Sequence, residues 1–179
     1  MLGFFSRLMG NREEQQQEEV KPSVAVTAAP ASIDGKPAIA YDPELLASLL
    51  SDHEELVQLY EAMWHDGIAK GSLIVFLRNL GAFRGKFNAH VLKENVKFYV
   101  YLEQNLKHDE HALELIKHFR DDMNEIAKNV LAFCKKYYTK QFTPELKKTL
   151  KKDYEAVGDV LVRRVSLEEN DLYTLYQPY

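Results

Sequence analysis

His90 and Glu94 stand four residues apart in the stretch NAHVLKENVKFY, on a line of large apolar residues that runs Leu80, Phe83, Phe87 and resumes at Phe98. Four residues is little more than one helical turn, so the imidazole and the carboxylate face the same side as the apolar line. Burying either group without a partner costs several kcal/mol, so both are expected to meet further polar groups inside the fold. An imidazole and a carboxylate at this spacing are donors for Fe, Mn or Zn, and equally the two halves of a buried ion pair.

The same interruption recurs along the chain. One apolar line passes from Leu49 and Leu50 through His53 to Leu56, Val57 and Tyr60. Another reads Leu150, Tyr154, Val157, Leu161, then Arg164, Glu168 and Leu172. A third, Ile116, Phe119, Met123, Ile126 and Val130, has no interruption. Three apolar lines of four thus direct ionisable side chains inward, and facing helices of a bundle are where such residues build metal sites.

Four helices would carry these lines. The first opens at YDPELL, with Asp42 as N-cap and Pro43 at the first helical position, and ends near Gly67. The second runs from Ser72 to about Leu106, and the third from near Asp109 to about Tyr138. The fourth opens at FTPELK, with Thr143 as cap and Pro144 next, and runs to about Tyr176. Short connections make sequential helices antiparallel neighbours. The expected fold is all-α: an up-down-up-down four-helix bundle over residues 42–179.

Residues 1–41 read as a disordered tail. NREEQQQEEVKP is polar and of low complexity, and SVAVTAAPASIDGKPAIA has no helical periodicity. Its head is apolar at Leu2, Phe4, Phe5, Leu8 and Met9. That head is read either as a disordered start or as a short segment that docks to a partner groove or a membrane surface.

LLSDHEELVQLYEAM resembles the first helix of the hemerythrin-like (HHE cation-binding) family. LRNLGAFRGKFNAHVLKENVKFYVYL resembles its second helix, with the His-x-x-x-Glu pair at His90 and Glu94. VRRVSLEENDLYTLYQP is similar to its closing helix. The resemblance implies a four-helix bundle in which five His and two bridging carboxylates hold two irons. Carried across, His53, His90 and Glu94 match, and Glu168 matches the second bridging carboxylate. The remaining three His positions fall on Phe119, Met123 and Arg164, so the ligands of one iron are replaced and those of the other are kept. His118 lies about 100° round its helix from the required face. Arg164 is expected to bridge Glu94 and Glu168 as a fixed cation where the missing iron's charge would sit.

Two states of the polar layer follow from this set. In the first the layer holds no metal, and Arg164 and one protonated imidazole balance the two carboxylates. In the second His53, His90, Glu94 and Glu168 hold a single Fe, Mn or Zn. The sequence favours the first, and with it a non-enzymatic regulatory or interaction module, for which the regulator-of-sigma-D family of four-helix bundles is a comparable case. The alternative is a one-metal protein that senses or stores iron or a small diatomic ligand. A third reading comes from AHVLKEN, which is similar to the phosphorylated stretch of histidine phosphotransfer domains, with His90 as the acceptor.

Seven lysines crowd the third turn; Lys147 and Lys148 lie near the start of the fourth helix, where the helix dipole disfavours cations, and Lys151 and Lys152 follow them. They are read as a solvated helix end or as a docking face for an acidic protein partner. The formal charge of −4 argues against nucleic acid as a partner. The single cysteine, Cys134, excludes an internal disulfide and suits a reducing cytoplasm. No apolar run approaches the ~20 residues of a membrane span, and no phosphate loop, nucleophile elbow or catalytic triad stands out.

Overall fold

The computed structural model describes residues 38–139 and 143–179. The tail's apolar head and most of the tail lie outside the described residues. Helix α1 spans Leu45–Ala62 and continues as a π turn over Met63–Ile68. Helix α2, Leu73–Lys93, passes through a π turn at Glu94–Phe98 into α3, Tyr99–Asn105. Helix α4 spans Glu110–Tyr137. Helix α5, Pro144–Leu167, continues through a π turn at Glu168–Leu172 and a 3-10 turn at Tyr173–Leu175. Most of the described residues are helical, none is in a strand, and they make up four long helical segments of a bundle. No described helix is long and apolar enough to cross a membrane.

The caps show how the sequence sets these ends. Ser72 accepts from the Val75 N–H at 3.4 Å, Asp109 from Ala112 at 3.0 Å and Thr143 from Leu146 at 3.3 Å, each satisfying a first-turn N–H that has no partner within its helix. The first helix departs from expectation. Asp42 and Pro43 form a turn ahead of it, in which Asp42 accepts from the Glu44 N–H at 3.1 Å, and the helix starts at Leu45. Ile39 and Tyr41, read as tail, rest on the bundle: the Ile39 N–H donates to Gln104, and Tyr41 stacks on Tyr176 at 5.1 Å.

The interior has two apolar parts with a polar layer between them. One gathers Tyr60, Met63, Phe76, Leu80, Phe83, Phe87, Met123, Ile126 and Val130. The other gathers Leu45, Leu49, Phe98, Tyr99, Leu102, Ile116, Phe119 and Leu172. Along each helix the change from one part to the other falls at the interrupting residues: between Leu49 and Leu56 stands His53, between Phe87 and Phe98 stand His90 and Glu94, and Arg164 and Glu168 precede Leu172. The third helix crosses the same level with Phe119 and Met123, both buried, as its uninterrupted line requires.

Gly67 marks the closest approach of the first helical segment to the second. A Cβ there would stand 2.7 Å from Phe76 Cα and 2.9 Å from its N, atoms of a backbone that cannot move aside. Gly85, in contrast, has nothing within 4 Å of the same position and sits mid-helix. Gly67→Ala is expected to lower stability by roughly 1–3 kcal/mol in urea denaturation through overpacking. Gly85→Ala is expected to raise it by up to about 1 kcal/mol through helix propensity.

Candidate metal centre

Both buried carboxylates open a π turn: Glu94 begins Glu94–Phe98 and Glu168 begins Glu168–Leu172. A π turn widens the helix by one residue and is frequent at functional sites. Here each one rotates the residues after the carboxylate relative to an ideal helix. Tyr99 and Tyr173 thereby come to the core side, one residue beyond the expected apolar positions Phe98 and Leu172.

Four expected residues converge. His53 Nε2 lies 3.1 Å from Glu168 Oε2, and His90 Nε2 lies 3.9 Å from Glu94 Oε2. The two imidazole rings are 4.8 Å apart, and His53, His90 and Glu168 offer ligand atoms all within 4.8 Å of one another. Glu94 is fully buried beside this trio. The outer nitrogen of each imidazole faces a second carboxylate. His53 Nδ1 is 2.9 Å from Glu169 Oε1, and His90 Nδ1 is 3.5 Å from Asp52 Oδ2. Asp52 is itself held by Lys86 Nζ at 2.8 Å and Lys93 Nζ at 2.6 Å. At His53 the carboxylate hydrogen-bonded behind Nδ1 fixes the ring and leaves Nε2 as the inward donor, which is how metal-binding imidazoles are oriented. At His90, Asp52 stands behind Nδ1 at ion-pair distance only.

Arg164 lies in the same layer, 2 % exposed. Its Nε donates to Glu168 Oε1 at 2.5 Å, its Nη1 to the Phe119 carbonyl at 3.0 Å and its Nη2 to the Tyr99 hydroxyl at 2.9 Å. The Phe119 ring lies 5.1 Å from the guanidinium carbon. The expectation that Arg164 bridges both buried carboxylates is corrected: it bonds Glu168, whereas Glu94 accepts from Tyr173 Oη at 2.9 Å. Its three hydrogen bonds run to Glu168, the Phe119 carbonyl and Tyr99, and none reaches Glu94.

Electrostatics separates the four groups. Burial works against charge on His53, but hydrogen bonds to Glu168 and Glu169 outweigh it and raise the imidazole to about 9. Burial and the neighbouring His53 charge push His90 down to about 4. Burial and the Glu168 charge push Glu94 up to about 8. Glu168 is also fully buried, yet the His53 hydrogen bond and the Arg164 charge hold it below the usual carboxylate range. Two buried atoms of the layer, Glu94 Oε2 and His90 Nδ1, have no hydrogen-bond partner. An unsatisfied oxygen of this kind, adjacent to inward-facing imidazole nitrogens, fits a cation that the protein atoms alone do not replace.

Other expectations meet the structure as follows. His90 is 3 % exposed, enclosed by Asp52 and Glu94, so no phosphoryl donor can reach it and the phosphotransfer reading falls. His118 is exposed and turned away from the layer. Lys147, Lys148, Lys151 and Lys152 are all exposed on the first turns of α5. Sequence reasoning missed Asp52, Tyr99, Glu169 and Tyr173. The spacing of Lys86, His90 and Lys93 on one face carried a signal for a buried acid opposite. Nothing local marked the π turns that bring in Tyr99 and Tyr173.

In the metal-free protein these shifts set the pH dependence of stability. His53 and Glu94 both have folded-state values above their unfolded ones, so each favours the fold at lower pH and that contribution is lost as pH rises towards 8–9. His90 has a lowered value, so its contribution is present above 6.5 and is lost as pH falls to about 4. Urea denaturation in the presence of chelator is expected to show a maximum near pH 5.5, where the His90 gain and the Glu94 loss cancel. The decline towards pH 9 should be on the order of 5 kcal/mol and shallower in His53→Gln. Arg164→Ala, which leaves the buried Glu168 without its cation, should cost about 3–5 kcal/mol at neutral pH in the same measurement.

The model of the hemerythrin HHE cation-binding domain matches residues 44–176, which takes in every described helix and all the residues of the layer. No curated protein and no solved structure gives a match to the chain. The buried cluster of His53, His90 and Glu168, three residues that could hold a cation, agrees with that match. The chain belongs to the hemerythrin HHE cation-binding domain family.

Proposed function

We propose that this protein binds a single metal ion, Fe, Mn or Zn, at His53, His90, Glu94 and Glu168, and that Arg164 stands in for the second ion of the family's site. The observation that carries this reading is the matched orientation of the two imidazoles. Each presents Nδ1 to a carboxylate and Nε2 to the interior, where Glu94 and Glu168 lie. A layer arranged only as a salt bridge has no need to aim both rings in this way, or to leave Glu94 Oε2 without a partner. The metal-free layer favoured by the sequence is the state in which His53 carries a proton between Glu168 and Glu169. Metal and proton compete for the same Nε2. The up-down-up-down order of the helices belongs to this reading. It is supported by the apolar part that joins Leu45, Leu102, Ile116 and Leu172, residues from alternating ends of successive helices.

The role that fits such a site is binding or sensing rather than catalysis. His53 borders a small cavity of about 30 Å³ that is lined by Leu56, Val57, Phe83, Leu161 and Val165. That volume admits a water or a diatomic molecule and no organic substrate. When bound, the metal supplies an electron-rich or Lewis-acidic centre for such a ligand. The chain's own residues hold the donors in place, keep bulk water out and store a proton on His53 when the metal leaves.

A regulatory interaction is a second reading, favoured by the exposed Lys147, Lys148, Lys151 and Lys152. Only Lys151 among these four has an acidic neighbour in range, Glu155 at 3.9 Å, among the described residues. Lys147 also borders an open, largely apolar cavity with Ile68, Leu73 and Leu150. An acidic partner segment with an apolar anchor would suit this face.

Protein purified from its native source is expected to carry about one equivalent of metal per chain by elemental analysis, lost in His53→Ala and His90→Ala. About two equivalents, or metal retained in both variants, would count against the one-metal reading. For the second reading, charge reversal at the four lysines should abolish capture of an acidic partner while leaving the helical circular-dichroism signal unchanged; undiminished capture would remove that face from consideration.

A further inference from the structure

Tyr173 enters the site as described only as the hydrogen-bond donor to Glu94, yet its hydroxyl lies within the ligand layer. It donates to Glu94 Oε1 at 2.9 Å and stands 3.4 Å from His53 Nε2, while Glu168 Oε2 stands 3.1 Å from that same nitrogen. Donor atoms bound to one ion at about 2.0–2.2 Å lie about 3 Å from one another. The phenol oxygen therefore has the spacing of a ligand before any ion enters. The ring has little freedom to leave: it stacks on His53 at 5.8 Å and 10°, meets Phe98 edge-on at 5.1 Å, and is 4 % exposed. The π turn at Glu168–Leu172 is what brings it to the core side.

Charge points the same way. A trivalent ion beside the fixed Arg164 cation would face two carboxylates directly, with Glu169 and Asp52 behind the imidazoles and Asp52 already paired with Lys86 and Lys93, leaving excess positive charge in a closed layer, which is costly. The other buried groups of the layer that can become anionic are the phenols of Tyr99 and Tyr173. Tyr99 Oη already accepts from Arg164 Nη2 at 2.9 Å. Tyr173 is left as the third anion.

We propose that Tyr173 is a further metal ligand, its phenolate oxygen joining His53, His90, Glu94 and Glu168 around a ferric ion. The proposal rests on the one-metal reading above. On ligation the Tyr173 O–H bond breaks and an oxygen–iron bond forms. The proton is released to solvent. No electron is transferred, and the iron enters and remains ferric. Burial and the charges of Glu94 and Glu168 hold the free phenol protonated, so the phenolate arises only with the ion present.

The test is resonance Raman and visible absorption of the full chain loaded with ferric iron, with iron content measured on the same samples. Wild type should bind iron and show a phenolate-to-iron charge-transfer band with enhanced tyrosinate ring modes. Tyr173→Phe should keep the iron and lose both signals. Should that variant fail to fold, Tyr173→3-fluorotyrosine preserves the ring's shape and must shift the band. Bound iron without tyrosinate modes in wild type, modes that persist in Tyr173→Phe, or an unshifted band in the fluorinated variant would each overturn the ligand assignment and leave the one-metal site standing. Wild type that retains no iron would overturn both.

Discussion

The Arg164 guanidinium, held inside the bundle by Glu168, the Phe119 carbonyl and Tyr99, is the contact on which the rest of the interior depends. A permanent cation at 2 % exposure is tolerable only where each of its faces is met, and here all are, including the Phe119 ring against the guanidinium. With the cation in place Glu168 keeps its charge in a fully buried position and can hold His53 on its other oxygen. His53 in turn lowers His90 and lies against Tyr173, which bonds Glu94. The layer is therefore one coupled unit, and its members were not free to be chosen separately.

The resident cation also explains why the third helix crosses this level with apolar side chains. Phe119 and Met123 stand where the family's fold places imidazoles, and Phe119 contributes its carbonyl and its ring face to Arg164 instead. Replacing three imidazoles by one arginine exchanges an ion that can leave for one that cannot. The result is an asymmetric layer, with the imidazole and carboxylate donors on one side and a fixed charge on the other.

Much of this was legible in the sequence, and the parts that were not have a common cause. The helical periods of the apolar lines located His53, His90, Glu94, Arg164 and Glu168, because each interrupts its line at an interval an ideal helix preserves. Ser72, Asp109 and Thr143 mark three helix starts through side chains that accept first-turn N–H groups. The start at Asp42 was misplaced because the same Asp-Pro pair suits a turn as well as a first helical turn. Tyr99 and Tyr173 escaped notice because the π turns at Glu94 and Glu168 shift the register by one residue just where the chemistry lies. Such turns are fixed by packing around the buried carboxylates, and no residue type announces them. Glu169 and Asp52 were passed over because each adjoins a residue already on the line, and their role is to orient an imidazole from behind.

The central claim is that Arg164 and a single ion share the layer between them. Anomalous X-ray diffraction at the absorption edge of the bound metal, on crystals of the full chain, addresses it most directly. The account predicts one anomalous peak per chain, enclosed by His53, His90, Glu94 and Glu168, with Arg164 still bonded to Glu168. Two peaks, or one at the place of an Arg164 side chain swung out of the layer, would contradict it.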